Sequence, residues 1–207
     1  MGAVVGGIHA VGRLEEYAEW MCGLTQRDVL RLLDPSLRAP GIIGGEKVMA
    51  RIRDLVGEAV IEQLPITFTA VATDLLAGKE VWLQSGLLGR AIRASIALPT
   101  VFTPFVHEGR LLVDGGLLDL VPVMPLASAN ADLVVAVSVG GAPDPHADGS
   151  NLRPIDIMEL SLQLMQRTIT HFQMATLPTD VFIEMPADMC GTLEFNKAAE
   201  VIEQGHL

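Results

Sequence analysis

The sequence predicts an α/β protein. Three observations carry the prediction. Helical and strand periods alternate along the chain, residues 133–139 form the continuous apolar run of a buried parallel strand, and the apolar half of the composition is never arranged to span a bilayer. The longest stretch without Asp, Glu, Lys or Arg is 94–107, broken by Pro99 and Pro104, whereas a spanning helix needs about 20 apolar residues. With 207 residues and 22.1 kDa the chain can bury a sizeable core, and no repeat, low-complexity tract or linker divides it. Residues 1–207 are therefore read as one domain.

The elements follow in order. Residues 1–11 read as a helix despite Gly2, Gly6 and Gly7, which cost roughly 1 kcal/mol each relative to alanine. Close packing is the reason expected for them, and Gly12 stands where a C-terminal cap would. Residues 14–21 continue helically. Thr25 and Asp28 have the spacing of a capping box opening a helix through Leu33, and Asp34-Pro35 ends it ahead of a loop at 37–44. Residues 45–60 carry Val48, Ile52, Leu55 and Val56 at the spacing of an amphipathic helix. At Ile66 the period becomes that of a strand, 66–72, followed by a turn at Ala77-Gly78-Lys79 and a return strand, 80–83. A short helix at 86–95 precedes a hairpin, 103–106 with 110–113, turning on Glu108-Gly109.

Residues 126–131 read as helical, 133–139 as the parallel strand, and 140–153 as an exposed loop. A long helix at 155–175, a last strand at 181–184 and a closing helix at 196–204 complete the chain. Met158, Met165 and Met174 lie on the long helix among Leu160, Leu162, Leu164 and Phe172. Core packing against the sheet is expected for them, with a Met-lined acyl groove as the alternative.

Charge narrows the function classes. Fourteen basic and 25 acidic side chains leave a formal charge of −11, which argues against a nucleic-acid partner because that affinity rests on Lys and Arg releasing counterions. The same charge opposes firm docking on anionic lipid and leaves peripheral membrane contact open. Aromatic residues, at 4%, are too few for a base-stacking platform. Arg38, Lys47, Arg51 and Arg53 read as a solvated helix face. The first dozen residues lack the basic stretch and cleavage site of a signal peptide, and Cys22 and Cys190 stand alone. Two reduced, mostly buried thiols in a cytoplasmic protein are expected. His9, His107, His146, His171 and His206 are scattered, and neither GxxxxGK[ST] nor GxGxxG is present, so no metal and no cofactor are expected.

The most specific signal is Arg110-Leu111-Leu112-Val113-Asp114-Gly115-Gly116. An apolar strand ends in a carboxylate and two glycines follow at once, which suits a catalytic group at a strand end as well as a plain Asp-Gly turn. Three further blocks stand in order around it. They are Ala72-Thr73-Asp74-Leu75-Leu76-Ala77-Gly78-Lys79-Glu80, then Arg93-Ala94-Ser95-Ile96-Ala97-Leu98-Pro99 with Phe102-Thr103-Pro104, and Leu120-Val121-Pro122-Val123. Together the four blocks resemble the patatin-like phospholipase family in its compact bacterial form, from Met1 to about Gly205.

That resemblance implies a three-layer sandwich with a central, mostly parallel sheet flanked by helices. It also implies a serine acyl hydrolase that cleaves lipid acyl esters with a Ser–Asp dyad and no histidine. Asp114 becomes the dyad carboxylate, and Gly115 and Gly116 complete the DG[GA] motif and shape its pocket. The family's nucleophile lies in GxSxG at a strand-to-helix elbow. Met1-Gly2-Ala3-Val4-Val5-Gly6-Gly7 resembles the stretch after that serine, with Gly2 as the last glycine. By this reading the serine stands just before Met1 and is absent from the chain, as are the Gly-rich oxyanion loop and the first strand–loop–helix–strand. A side chain at Gly2 is then expected to collide with the elbow strand. The 207-residue chain is expected to be inactive and poorly stable, and the natural protein to begin upstream. The rival from another class is a non-catalytic lipid-binding or assembly protein on the same fold.

Ala136-Val137-Ser138-Val139-Gly140 mimics an elbow but leads into a loop, so Ser138 reads as a strand-end hydroxyl. Ser95 reads as capping a turn before Pro99, and Ser85 as the N-cap of the helix that follows it. None of His146, His171 and His206 ends a strand, as the histidine of a Ser–Asp–His triad would. Asp74 is expected to accept backbone N–H groups of a turn, and Asp119 lacks the two glycines.

Overall fold

The computed structural model describes residues 1–32, 45–99, 101–140, 152–177, 179–186, 189 and 194–206. The chain divides into two compact units, Met1–Gly115 with Cys190–Leu207, and Gly116–Met189. In chain order the elements are α1 (Gly2–Ala10), α2 (Leu14–Cys22), α3 (Gln26–Leu32), α4 (Glu46–Val56), β1 (Ala70–Asp74), β2 (Lys79–Leu83), α5 (Leu88–Ser95), β3 (Phe105–His107) and β4 (Arg110–Asp114). The second unit holds β5 (Val135–Ser138), α6 (Pro154–Thr176) and β6 (Val181–Glu184), and α7 (Ala198–Gln204) returns to the first. The expected break at Asp34-Pro35, the loop at 37–44, most of the loop at 140–153, and Arg38, His146 and Cys190 lie outside the described residues.

In the first unit the sheet order is β2-β1-β4-β3, and every pairing is antiparallel. This corrects the expectation of a mostly parallel sheet, while the α/β class stands. The reason is local. β3 and β4 are joined by Glu108-Gly109, whose φ angles of 49° and 76° make a tight hairpin turn, and β1 and β2 by a turn with Gly78 at φ 63°. Such short connections leave only antiparallel pairing. Parallel pairing appears where a helix makes the crossover, between β5 and β6 on either side of α6.

The main hydrophobic cluster lies on one face of the four-stranded sheet. Ala70, Ala72, Val81, Leu83 and Leu112 share that face by register and join Val4, Ile8, Tyr17, Met49, Ile52, Leu55, Leu88 and Ile92 in one hydrophobic cluster. Each fully buried aliphatic side chain contributes roughly 1.5–3 kcal/mol. A Cβ on Gly7 would lie 2.8 Å from Ile92 Cδ1 and 3.2 Å from Leu88 Cδ1, so close packing of α1 on α5 explains that glycine. Thr25 and Asp28 form the expected capping box: the Thr25 N–H donates to Asp28 Oδ2 (3.1 Å) and the Asp28 N–H to Thr25 Oγ1 (3.3 Å).

Several elements depart from expectation. α4 stops at Val56 because Gly57 turns the chain at φ 57°, and Met49, not Val48, takes the buried position. β1 begins at Ala70 and not Ile66, since β2 has its last pairing residue, Leu83, opposite Ala70. The N-cap of α5 is Leu87 without a side-chain bond, so Ser85 does not cap it. Residues 124–128 wind as a 3-10 helix in place of the helical turn at 126–131. Cys22 is a free thiol and exposed, not buried. In the second unit Val135 and Val137 are about half exposed while Ala136 and Ser138 are buried, so β5 is covered on one face only. Phe172, Leu164, Met158 and Met165 on α6 are 56–68% exposed, against the expectation of core packing. Gln166 and Gln173 instead tie α6 to the chain by donating to the carbonyl oxygens of Gly116 (2.7 Å) and Leu118 (3.2 Å). Among the described residues no helix is long and apolar enough to cross a membrane.

Candidate active site

Asp114 is the last residue of β4 and half-buried. Its register partner is Ala72, and directly opposed residues of an antiparallel pair share a face. The carboxylate therefore springs from the face that carries the hydrophobic cluster, where α5 packs on β1 and β4 and α1 packs on α5. Its backbone N–H donates to the carbonyl of Ala97 (3.0 Å). This bond joins two of the sequence blocks, Arg93–Pro99 and Arg110–Gly116. A third block joins them through the Leu75 N–H, which donates to the Leu111 carbonyl (2.9 Å).

Gly115 has a steric reason. A Cβ there would lie 2.7 Å from the carbonyl carbon of Val71 and closer still to its oxygen, both rigid backbone atoms of β1. Only glycine lets the chain leave β4 against its neighbouring strand. Gly116 opens the second unit, its carbonyl accepting from Gln166. Gly2 is the first residue of α1, and a Cβ there would meet nothing within 4 Å among the described residues. The expected collision is thus not seen. The tight glycine of α1 is Gly7.

The rival groups are placed as follows. Asp74 Oδ1 accepts from the N–H groups of Leu76 (3.2 Å) and Ala77 (3.0 Å), the turn role expected of it. Asp119 is buried. Ser138 ends β5, and its Oγ accepts from the Gly140 N–H at 3.4 Å. Within the second unit Ser138, Arg167, His171 and Glu184 border a cleft of about 510 Å³ with Leu164 and Phe172. His171 lies on α6 and His206 follows α7, so neither ends a strand. Among the described residues no group of three His, Cys, Asp or Glu could hold a metal ion.

Two features of the site were not assigned from sequence: the Ala97 carbonyl and the buried Arg93. Arg93 Nη2 donates to the Thr103 carbonyl (2.9 Å) and to Thr103 Oγ1 (3.1 Å), and the guanidinium lies 5.6 Å from the Phe105 ring centroid. The available signal was that Arg93, unlike Arg90, stands between Ala91-Ile92 and Ala94 on the apolar face of α5.

A family model described as patatin-like phospholipase matches residues 1–127. An uncharacterized NTE family protein of Mycobacterium tuberculosis is 38% identical over 99% of this chain and 79% of its own length. The chain belongs to the patatin-like phospholipase family. A Mycobacterium bovis member of the NTE family matches to the same extent. A lysophospholipase of Emericella nidulans is 26% identical over the whole chain, which spans 15% of that larger protein. The mycobacterial match runs over 283 residues, more than the 207 here, so those patatin-like relatives hold residues inside the matched span that this chain lacks.

Proposed function

We propose that this patatin-like protein is a carboxylic-ester hydrolase of lipid acyl chains that works through a Ser–Asp dyad, with Asp114 as proton acceptor and the serine upstream of Met1. As the serine oxygen attacks the ester carbonyl, its proton passes to the Asp114 carboxylate, which returns it to the departing alkoxide. Water then attacks the acyl-enzyme, giving its proton to Asp114, and the serine leaves protonated. Direct transfer requires the two oxygens to approach to about 2.6–3.2 Å.

The observation that supports this reading is the seat of Asp114. It stands at a strand end, its N–H is held by Ala97, and it is followed by a glycine that β1 makes obligatory. Lysophospholipids are the proposed substrate class, since fungal relatives carry that name. We read 1–207 as belonging to one patatin-like domain, because the family match at 1–127 crosses the division between the two compact units. A cytoplasmic location, consistent with the free thiol of Cys22, belongs to the same reading.

The test uses a chain extended upstream of Met1 so that it contains the proposed serine. It should release fatty acid from a lysophospholipid and react with a fluorophosphonate probe. Asp114→Asn should lower turnover by about 10³-fold or more, the scale seen when a catalytic proton acceptor is removed. Full activity in that variant would overturn the dyad. The 207-residue chain alone should not label, and strong hydrolysis by it would overturn the upstream serine.

A further inference from the structure

The dyad chemistry makes no use of Arg93, although this side chain is only 9% exposed and sits in the last turn of α5. Its Nη1 is buried without a hydrogen-bond partner. Burial pushes the guanidinium below its ordinary pKa, with the Glu46 carboxylate opposing that shift. A buried, incompletely satisfied cation is a poor stabiliser, since apolar side chains of similar volume often serve as well. Its bonds to Thr103 point to placement.

Three ties close a ring around the end of β4. Arg93 Nη2 fastens the last turn of α5 to Thr103, at the entrance to β3. β3 pairs with β4 through Phe105 opposite Leu112, two residues before Asp114. Asp114 closes the ring by donating its N–H to Ala97, two residues past α5. The pairing of β3 with β4 is only three residues long, so the segment before it needs another anchor, and Thr103 has one in Arg93.

We propose that Arg93 is a positioning residue that fixes where Asp114 presents its carboxylate, by clamping the α5–β3 connection through Thr103. The proposal rests on the dyad reading for its catalytic consequence, but not for the ring itself. Misplacing a reacting group by about 1 Å can cost on the order of 100-fold in rate.

The experiment has two arms. In the 207-residue chain, amide exchange at Asp114 should accelerate at least about 10-fold in Arg93→Met, because opening the ring frees the Ala97 bond. In the chain extended upstream of Met1 the same variant should lose about 100-fold in kcat with KM within about twofold, at a temperature well below both melting points. Arg93→Lys should recover part of the loss, keeping the charge but not the two-acceptor geometry. Thr103→Val removes one acceptor and should give a smaller change of the same kind, and it carries the test if Arg93→Met fails to fold. Unchanged Asp114 exchange and unchanged kcat in Arg93→Met, or in Thr103→Val when that variant must stand in, would overturn the proposal. So would a kcat loss that merely tracks melting temperature. An active Asp114→Asn would sink the dyad instead, leaving the exchange arm to judge the ring.

Discussion

Gly115 and Tyr17 show how far single residues could be read. The Asp-Gly-Gly pair of glycines was visible as a motif, but not which glycine is obligatory. That depended on the Val71 carbonyl, which sits where a Cβ of residue 115 would be. Asp114 was legible because a carboxylate ending an apolar strand is chemically conspicuous, whereas its backbone acceptor, Ala97, carries no side-chain signature at all. Tyr17, the one tyrosine of the chain, is buried against Trp20, with ring centroids 5.9 Å apart. Burial disfavours the phenolate and pushes its pKa from 10.0 up to about 12. A raised folded-state value means that this contribution is complete below pH 10 and is lost as pH climbs through about 12. A two-unit shift corresponds to about 3 kcal/mol. A spectrophotometric phenolate titration should therefore show one transition with its midpoint near 12 that coincides with loss of the helical signal. An ordinary midpoint near 10 in folded protein would refute the buried placement.

Among the elements, those specified by their own residues were read well. The Glu108-Gly109 hairpin, the Thr25–Asp28 capping box and the long helix all appear where their local chemistry puts them. Strand starts were read poorly: Ile66 alternates properly with its neighbours, yet among the described residues no strand stands opposite it to pair with. Ser85 failed as a cap for a related reason, since the chain turns at Gly86 (φ 85°) and the helix begins two residues later. α6 begins at Pro154, and its first turn is closed by Asp156, which accepts from the Arg153 N–H (2.9 Å) and pairs with its guanidinium (2.8 Å). Those bonds hold the Asp156 carboxyl at about 2, below its ordinary 3.8. A depressed carboxylate contributes above its unfolded value, so this cap persists above pH 3.8 and is released as pH falls toward 2. Carboxyl NMR should place Asp156 near 2, and Asp156→Asn should increase exchange of the first-turn amides of α6 at neutral pH. No change in that exchange would show that the cap does not hold the helix end.

On the scale of the whole molecule the two units differ in how they bury their apolar residues. The first gathers four helices on one sheet face, with Ile8, Leu88, Ile92 and Leu112 at 0% exposure. The second leaves Val135, Val137, Phe182 and Ile183 at 43–54% exposure and carries much of the apolar surface of α6 uncovered. Elements with few buried contacts open at lower cost. Native-state exchange should show amides of β5 and β6 at least about 100-fold less protected than those of β1 and β4, and equal protection would contradict the difference in burial. The sequence by itself determined the α/β class, the turns, the caps and the motif that ends in Asp114, because period and turn chemistry are written in neighbouring residues. Only the tertiary structure decided which strands run antiparallel, that Ala97 holds Asp114, that Val71 dictates Gly115 and that Arg93 is buried. Those outcomes depend on which segments distant in the chain meet, and such meetings leave no period to read.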